Sequence, residues 1–126
     1  MTQANKGTAV ITGASTGMGA VYADRLARQG HDLILIARDE ERLARTANLV
    51  RAATDRRVEV LVADLTDIGA LRRVEALLRA RSDIDMLVNN AGIGSVAPLE
   101  GGDVEAMDRM IALNVTAPTR LCYAVA

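Results

Sequence analysis

Aromatic residues, cysteine and lysine are nearly missing from this chain of 126 residues. With no Phe, no Trp and only two Tyr, any core must be aliphatic, built from Ala, Val, Leu, Ile and Met. Cys122 is the single cysteine, which excludes an internal disulfide. His31 is the single histidine, and one Cys with one His cannot build a zinc site of the usual kind, so no metal is expected. Lys6 is the only lysine; the rest of the fifteen basic residues are arginines. No apolar run reaches the ~18 residues of a membrane span. The first residues also lack the basic-then-apolar layout of a signal peptide, so the expectation is a cytoplasmic protein with no membrane partner. A net charge of −1 carries no nucleic-acid footprint. What remains is 50% hydrophobic and 25% charged, ordinary for a folded domain and wrong for a disordered chain.

Two hydrophobic periods alternate along the chain. Thr8–Thr12, Asp32–Ala37, Val58–Val62 and Asp85–Asn89 are short apolar runs that predict strands. Between them, three- and four-residue apolar spacing predicts helices over 18–29, from an Asp39 N-cap to about Ala53, and around Ile68, Leu71, Val74 and Leu78. Gly30 stands where a helix C-terminal cap would, and Asp103 opens a last helix towards the end of the chain. Strands alternating with amphipathic helices predict an α/β fold, a doubly wound parallel sheet of order 3-2-1-4. Residues 1–126 read as one domain. The longest loop runs from Gly92 to Gly102.

Three glycine patterns imply different chemistries. Gly13-Ala-Ser-Thr-Gly17-Met-Gly19 joins the first strand to the first helix, where glycines permit a tight turn and close approach of a ligand. The helix start beyond them favours a phosphate. An ordinary Gly-rich turn has the same composition; the strand–turn–helix context favours the phosphate site. The same residues spell G-x-S-x-G around Ser15, a hydrolase nucleophile elbow. That needs a histidine in reach, and His31 lies beyond a helix of about 18 Å, so the hydrolase reading fails. His31 is expected on the solvent side of a strand entrance. Gly92-Ile-Gly94-Ser-Val-Ala97 is a literal G-x-G-x-x-A, but Pro98, Gly101 and Gly102 follow it, so no helix starts there to bind an anion. A Walker loop is excluded because Lys6 lies upstream of every motif glycine.

The end of the second strand bears on which ligand is bound. A carboxylate there takes the ribose hydroxyl of NAD, whereas an arginine accommodates the 2′-phosphate of NADP. The strand ends Ile36-Ala37-Arg38-Asp39, which favours NADP(H) over NAD(H) and counts against a methyltransferase. Asp39 can cap the helix or face a ribose, and capping is the preferred reading.

At this point the chain resembles the short-chain dehydrogenases/reductases. The resemblance rests on four landmarks in order: Thr12-Gly-Ala-Ser-Thr-Gly-Met-Gly19, Asp64-Leu65, Asn89-Asn-Ala-Gly92 and Asn114. It implies a Rossmann-type fold and a nicotinamide cofactor. Gly13, Ser15, Thr16 and Met18, with Gly17 and Gly19 of the same motif, would hold the pyrophosphate and adenosine phosphate region. Asp64 and Leu65 would face the adenine, and Asn90, Ala91 and Gly92 would line the nicotinamide ribose, while Asn89 would steady the sheet. Asn114 would hold a water of a proton relay through its main chain. Independently, Pro118 has no N–H for the carbonyl of residue 114, so a freed carbonyl and a kink are expected there, the latter also the mark of a simple proline kink.

The family's catalytic pattern also needs a Ser and a Tyr-x-x-x-Lys. Here Tyr22 is followed four residues later by Leu26, Tyr123 stands near the end, and no lysine follows Lys6. The expectation is therefore the N-terminal, cofactor-binding half of an NADP(H)-dependent oxidoreductase acting on a carbonyl or alcohol, inactive alone. The alternative is a non-catalytic dinucleotide-binding or assembly module. Met107, Ile111, Val115, Leu121 and Val125 of the last helix form an expected surface for further chain or a second copy, giving a homo-oligomer. Cys122 on that helix is expected to be a small buried residue.

Overall fold

The computed structural model describes residues 6–92 and 101–126. Four parallel strands, β1 (Thr8–Thr12), β2 (Asp32–Ala37), β3 (Val58–Val62) and β4 (Ile84–Val88), form a sheet of order β3-β2-β1-β4, as the alternation predicts. Helices α1 (Gly17–Arg28), α2 (Glu40–Thr54) and α3 (Ile68–Arg79) join them, and α4 (Val104–Ile111) and α5 (Ala117–Val125) follow β4.

The central strands are buried on both faces, and their alternation divides the core in two. Ala9 and Ile11 of β1 and Leu33, Leu35 and Ala37 of β2 pack against α1 and α2 through Ala23, Leu26, Leu43, Ala47 and Val50. Val10, Ile34 and Ile36 point to the other face, against Leu71, Val74 and Leu78 of α3 and Leu121 of α5. Each Val, Leu or Ile side chain removed from water here contributes about 1.5–3 kcal/mol, and each alanine methyl less. β3 and β4 bound the sheet and expose more: Glu59, Val60 and Val62 on one, Asp85 and Met86 on the other.

Local chemistry sets the helix ends. Asp39, Asp67 and Asp103 accept hydrogen bonds from backbone N–H groups in the first turns of α2, α3 and α4. Gly30, at φ 107°, closes α1: its N–H donates to Ala27 O and that of His31 to Leu26 O, the paired bonds of a Schellman cap.

Three expectations are corrected. His31 is buried, not on the solvent side, because the segment at Lys6 and Gly7 hydrogen-bonds to Gly30 and Asp32 and covers the strand entrance. Cys122 is exposed: α5 turns Ala117, Leu121 and Ala124 inward and leaves Cys122 on its outer side. The last helix runs on from Asp103 as expected, but a π-helical segment over Ala112–Thr116 lies between α4 and α5 and changes which faces meet the core. Pro118, which has no N–H to donate, stands just past this wider turn, in the first turn of α5. The wider turn resets the helical register and splits the expected apolar surface. Leu121 and Val125 join the core, while Ile111 and Val115 stay exposed.

α5 is fastened to α3 by an ion pair. The guanidinium of Arg120 grips both oxygens of the buried Glu75 carboxylate, with Nη2–Oε2 at 3.0 Å. Arg120 holds that carboxyl below its ordinary 4.5, burial opposing and the charge of Arg120 adding to the effect. A depressed folded pKa adds stability that is full above the ordinary value and is lost as the pH falls through the folded one. Glu75→Gln should therefore lower the melting temperature at neutral pH by about 5 °C. In circular-dichroism melts, the gap between variant and parent should close as the solution is acidified below 4.5.

Candidate functional site

The C-terminal ends of the four strands open into one cleft of about 520 Å³. It lies where the chain reverses direction across the sheet, with β2 on one side of β1 and β4 on the other, the usual ligand crevice of an open α/β sheet.

Its floor depends on Thr12. This last residue of β1 is buried, and its hydroxyl accepts the N–H groups of Asn90 at 3.0 Å and Ala91 at 2.9 Å. The Asn90 side-chain amide returns the tie by donating to Gly13 O at 3.1 Å. The turn after β1 and the turn after β4 are thus joined by three bonds. Asn90 makes this tie, whereas Asn89 donates from Nδ2 to Cys122 Sγ on α5.

Two glycines are required by this closeness. A Cβ on Gly19 would stand 2.0 Å from Gly13 O, and one on Gly13 would stand 2.9 Å from Ala91 Cα. Gly17, at φ 59°, faces open space instead. Thr16 begins α1 without a side-chain cap, and no acid occupies the first turn, in contrast to the aspartate-capped α2, α3 and α4. A bare turn leading to an uncapped helix start fits the pyrophosphate of a dinucleotide.

Of the predicted residues, Gly13, Ser15, Thr16, Arg38, Asp64, Leu65, Asn90, Ala91 and Gly92 line the cleft. Gly17, Met18 and Gly19 do not. Met18 is largely exposed, and Gly19 acts by letting α1 approach the turn. Leu65 is at once cleft wall and core. Asn114 lies just behind, its Oδ1 3.1 Å from where a Cβ of Gly92 would stand. The G-x-G-x-x-A pattern lies outside the described residues beyond Gly92.

Asp64 receives the Thr66 hydroxyl at 2.6 Å and the Thr66 N–H at 3.0 Å. These bonds, the hydroxyl foremost, hold its carboxyl below the usual range against partial burial, and the charge of Arg38 adds to them. Asp39 accepts the Arg42 N–H, so the capping reading holds. Arg42, Thr66, Arg109 and Leu113 also line the cleft and are absent from the sequence reading. Arg42 was findable, one helical turn beyond Arg38. Arg109 was not, because its place depends on how α4 lies against the sheet.

Sheet order and cleft together define a Rossmann-type nucleotide-binding fold. Comparison with known proteins is more specific. The chain belongs to the short chain dehydrogenase family, whose profile matches residues 7–126. It is 40% identical over 108 residues to an uncharacterized oxidoreductase of Staphylococcus saprophyticus, covering 85% of this chain and 46% of that protein. Among solved structures, a short-chain dehydrogenase from Sphingobium yanoikuyae in complex with NADPH superimposes with a TM-score of 0.92 at 48% identity. The match covers 95% of this chain and 47% of that one. The bulky-bulky ketone specific alcohol dehydrogenase from Comamonas testosteroni gives 0.93 at 45% identity, covering 96% and 48% respectively. The chain thus spans about half the length of these relatives.

The tie at Thr12 predicts a measurable cost. Thr12→Val keeps the shape and removes the acceptor, leaving two N–H groups without it. Urea denaturation should show a loss of about 2 kcal/mol.

Proposed function

We propose that this chain supplies the cofactor-binding half of an NADP(H)-dependent oxidoreductase acting on a small carbonyl or alcohol compound. The observation that carries the reading is the end of β2: Arg38 lines the cleft while Asp39, its neighbour in sequence and also in the lining, caps α2. A carboxylate engaged with its own helix competes poorly for a ribose hydroxyl, and a cleft-lining guanidinium suits a phosphate. The Sphingobium relative, solved with NADPH, supports the same choice.

When bound, the nicotinamide supplies or accepts the hydride. In this reading the chain's own residues bind and orient the cofactor. Gly13, Ser15 and Thr16, with the α1 start, take the pyrophosphate side, and Gly17, Met18 and Gly19 shape that turn. Asp64 and Leu65 flank the adenine, and Asn90, Ala91 and Gly92 the nicotinamide ribose. Asn114 takes the family's water-holding role. With no Tyr-x-x-x-Lys in the 126 residues, the chain by itself binds cofactor without turning substrate over. Self-association through the last helices rests on the exposed Val104, Ile111, Val115 and Tyr123.

Calorimetric titration of the 126-residue chain tests the cofactor. NADPH should bind more tightly than NADH, and Arg38→Ala should weaken NADPH about tenfold with little effect on NADH. Tighter binding of NADH would sink the NADP(H) assignment; binding of neither would sink the dinucleotide reading. Sedimentation velocity tests the association: Ile111→Glu with Val115→Glu should shift an oligomer to monomer.

A further inference from the structure

The cleft is lined by three arginines, Arg38, Arg42 and Arg109, against two carboxylates, Asp39 and Asp64. Both carboxylates are engaged by the chain itself. Asp64 is held by Thr66. Asp39 is held twice by a single residue: its Oδ1 accepts the Arg42 N–H at 3.1 Å, and its Oδ2 lies 3.5 Å from Arg42 Nε. The first contact is the helix cap; the second is an ion pair that the cap does not need. Arg42 is 61% exposed and Asp39 47%, so the pair is a surface feature with no packing role that would account for it.

We propose that Arg42 is a second specificity-determining residue of this site, one that selects a phosphomonoester on the adenosine ribose in two ways. The proposal rests on the dinucleotide reading above. The Arg42 guanidinium pairs with Asp39 through Nε and keeps its two terminal nitrogens to offer to the phosphate beside Arg38. A planar guanidinium can serve two anions at once because its donors point along different directions. The same ion pair draws the Asp39 carboxylate to Arg42 and away from a ribose hydroxyl. Asp39 is the acid that would otherwise favour the unphosphorylated ribose, so one side chain both attracts the phosphate and restrains its competitor. Glu40 and Glu41, in the same turn, are not among the residues lining the cleft.

Two probes isolate the ribose phosphate without any reaction: adenosine 2′,5′-bisphosphate, which carries it, and adenosine 5′-monophosphate, which does not. Titrated into the 126-residue chain, the bisphosphate should bind more tightly. Arg42→Ala should weaken the bisphosphate about tenfold and leave the monophosphate equal or tighter. Adding Asp39→Asn to Arg42→Ala keeps a good N-cap while removing the carboxylate, and should abolish any gain for the monophosphate. Circular dichroism confirms that each variant is folded. An unchanged ratio of the two affinities in Arg42→Ala, or an equal loss for both probes, would overturn the proposal. If the parent binds neither probe, it is the dinucleotide reading that fails. If it prefers the bisphosphate and only Arg38→Ala abolishes that preference, the dinucleotide reading stands and Arg42 has no part in it.

Discussion

The structure depends most on one hydroxyl. Thr12 ends a strand whose five residues are all buried and whose three middle residues are aliphatic. Its Oγ1 takes the two N–H groups of Asn90 and Ala91, backbone donors 78 and 79 residues away in sequence. A buried donor left without a partner costs about 1–3 kcal/mol, so this oxygen fixes where the chain after β4 can lie. With Asn90 returning a bond to Gly13 O, the two turns that flank the crevice are tied in both directions. The contact in turn demands a glycine at 19, since α1 starts too close to Gly13 O for any side chain.

The two ends of the sheet are built differently. At the N-terminal end, charges are consumed locally: Asp83 accepts the Thr8 hydroxyl at 2.6 Å and is gripped by Arg81, which also reaches Glu59 on β3. Arg81 and Thr8 hold the Asp83 carboxyl far below the usual range. That end ties β1, β3 and the start of β4 together. At the C-terminal end the polar groups face outward, towards a volume of about 520 Å³.

How much of this was legible in the sequence follows from the range of each interaction. The continuous apolar runs of β1 and β2, the aspartate caps and the Gly30 cap are local, and each was readable from a few neighbouring residues. The burial of His31 was not, because it is covered by a segment more than twenty residues earlier. Cys122 was expected to be buried from its residue type, whereas the apolar residues of the last helix were misplaced for another reason. Their faces depend on a π-helical segment, and periodicity at 3.6 residues carries no sign of the extra residue in that turn. The motif glycines were read correctly as a turn, but their division of labour, Gly19 for packing and Gly17 towards open space, is a matter of distances.

The cleft also shows why a short acidic motif is an ambiguous signal for a ligand. Asp39 stands two residues past Ala37, the position where a carboxylate would meet a ribose, and type alone cannot separate a cap from a ligand contact. Geometry separates them, because its oxygens already face Arg42. The same holds for Asp64, whose nearest donors belong to Thr66. With both acids turned to their own chain and α1 beginning without one, the positive groups of the cleft are the ones left facing an incoming molecule. In the proposed reading, anion selection at this site arises less from adding cations than from giving every nearby carboxylate something else to hold.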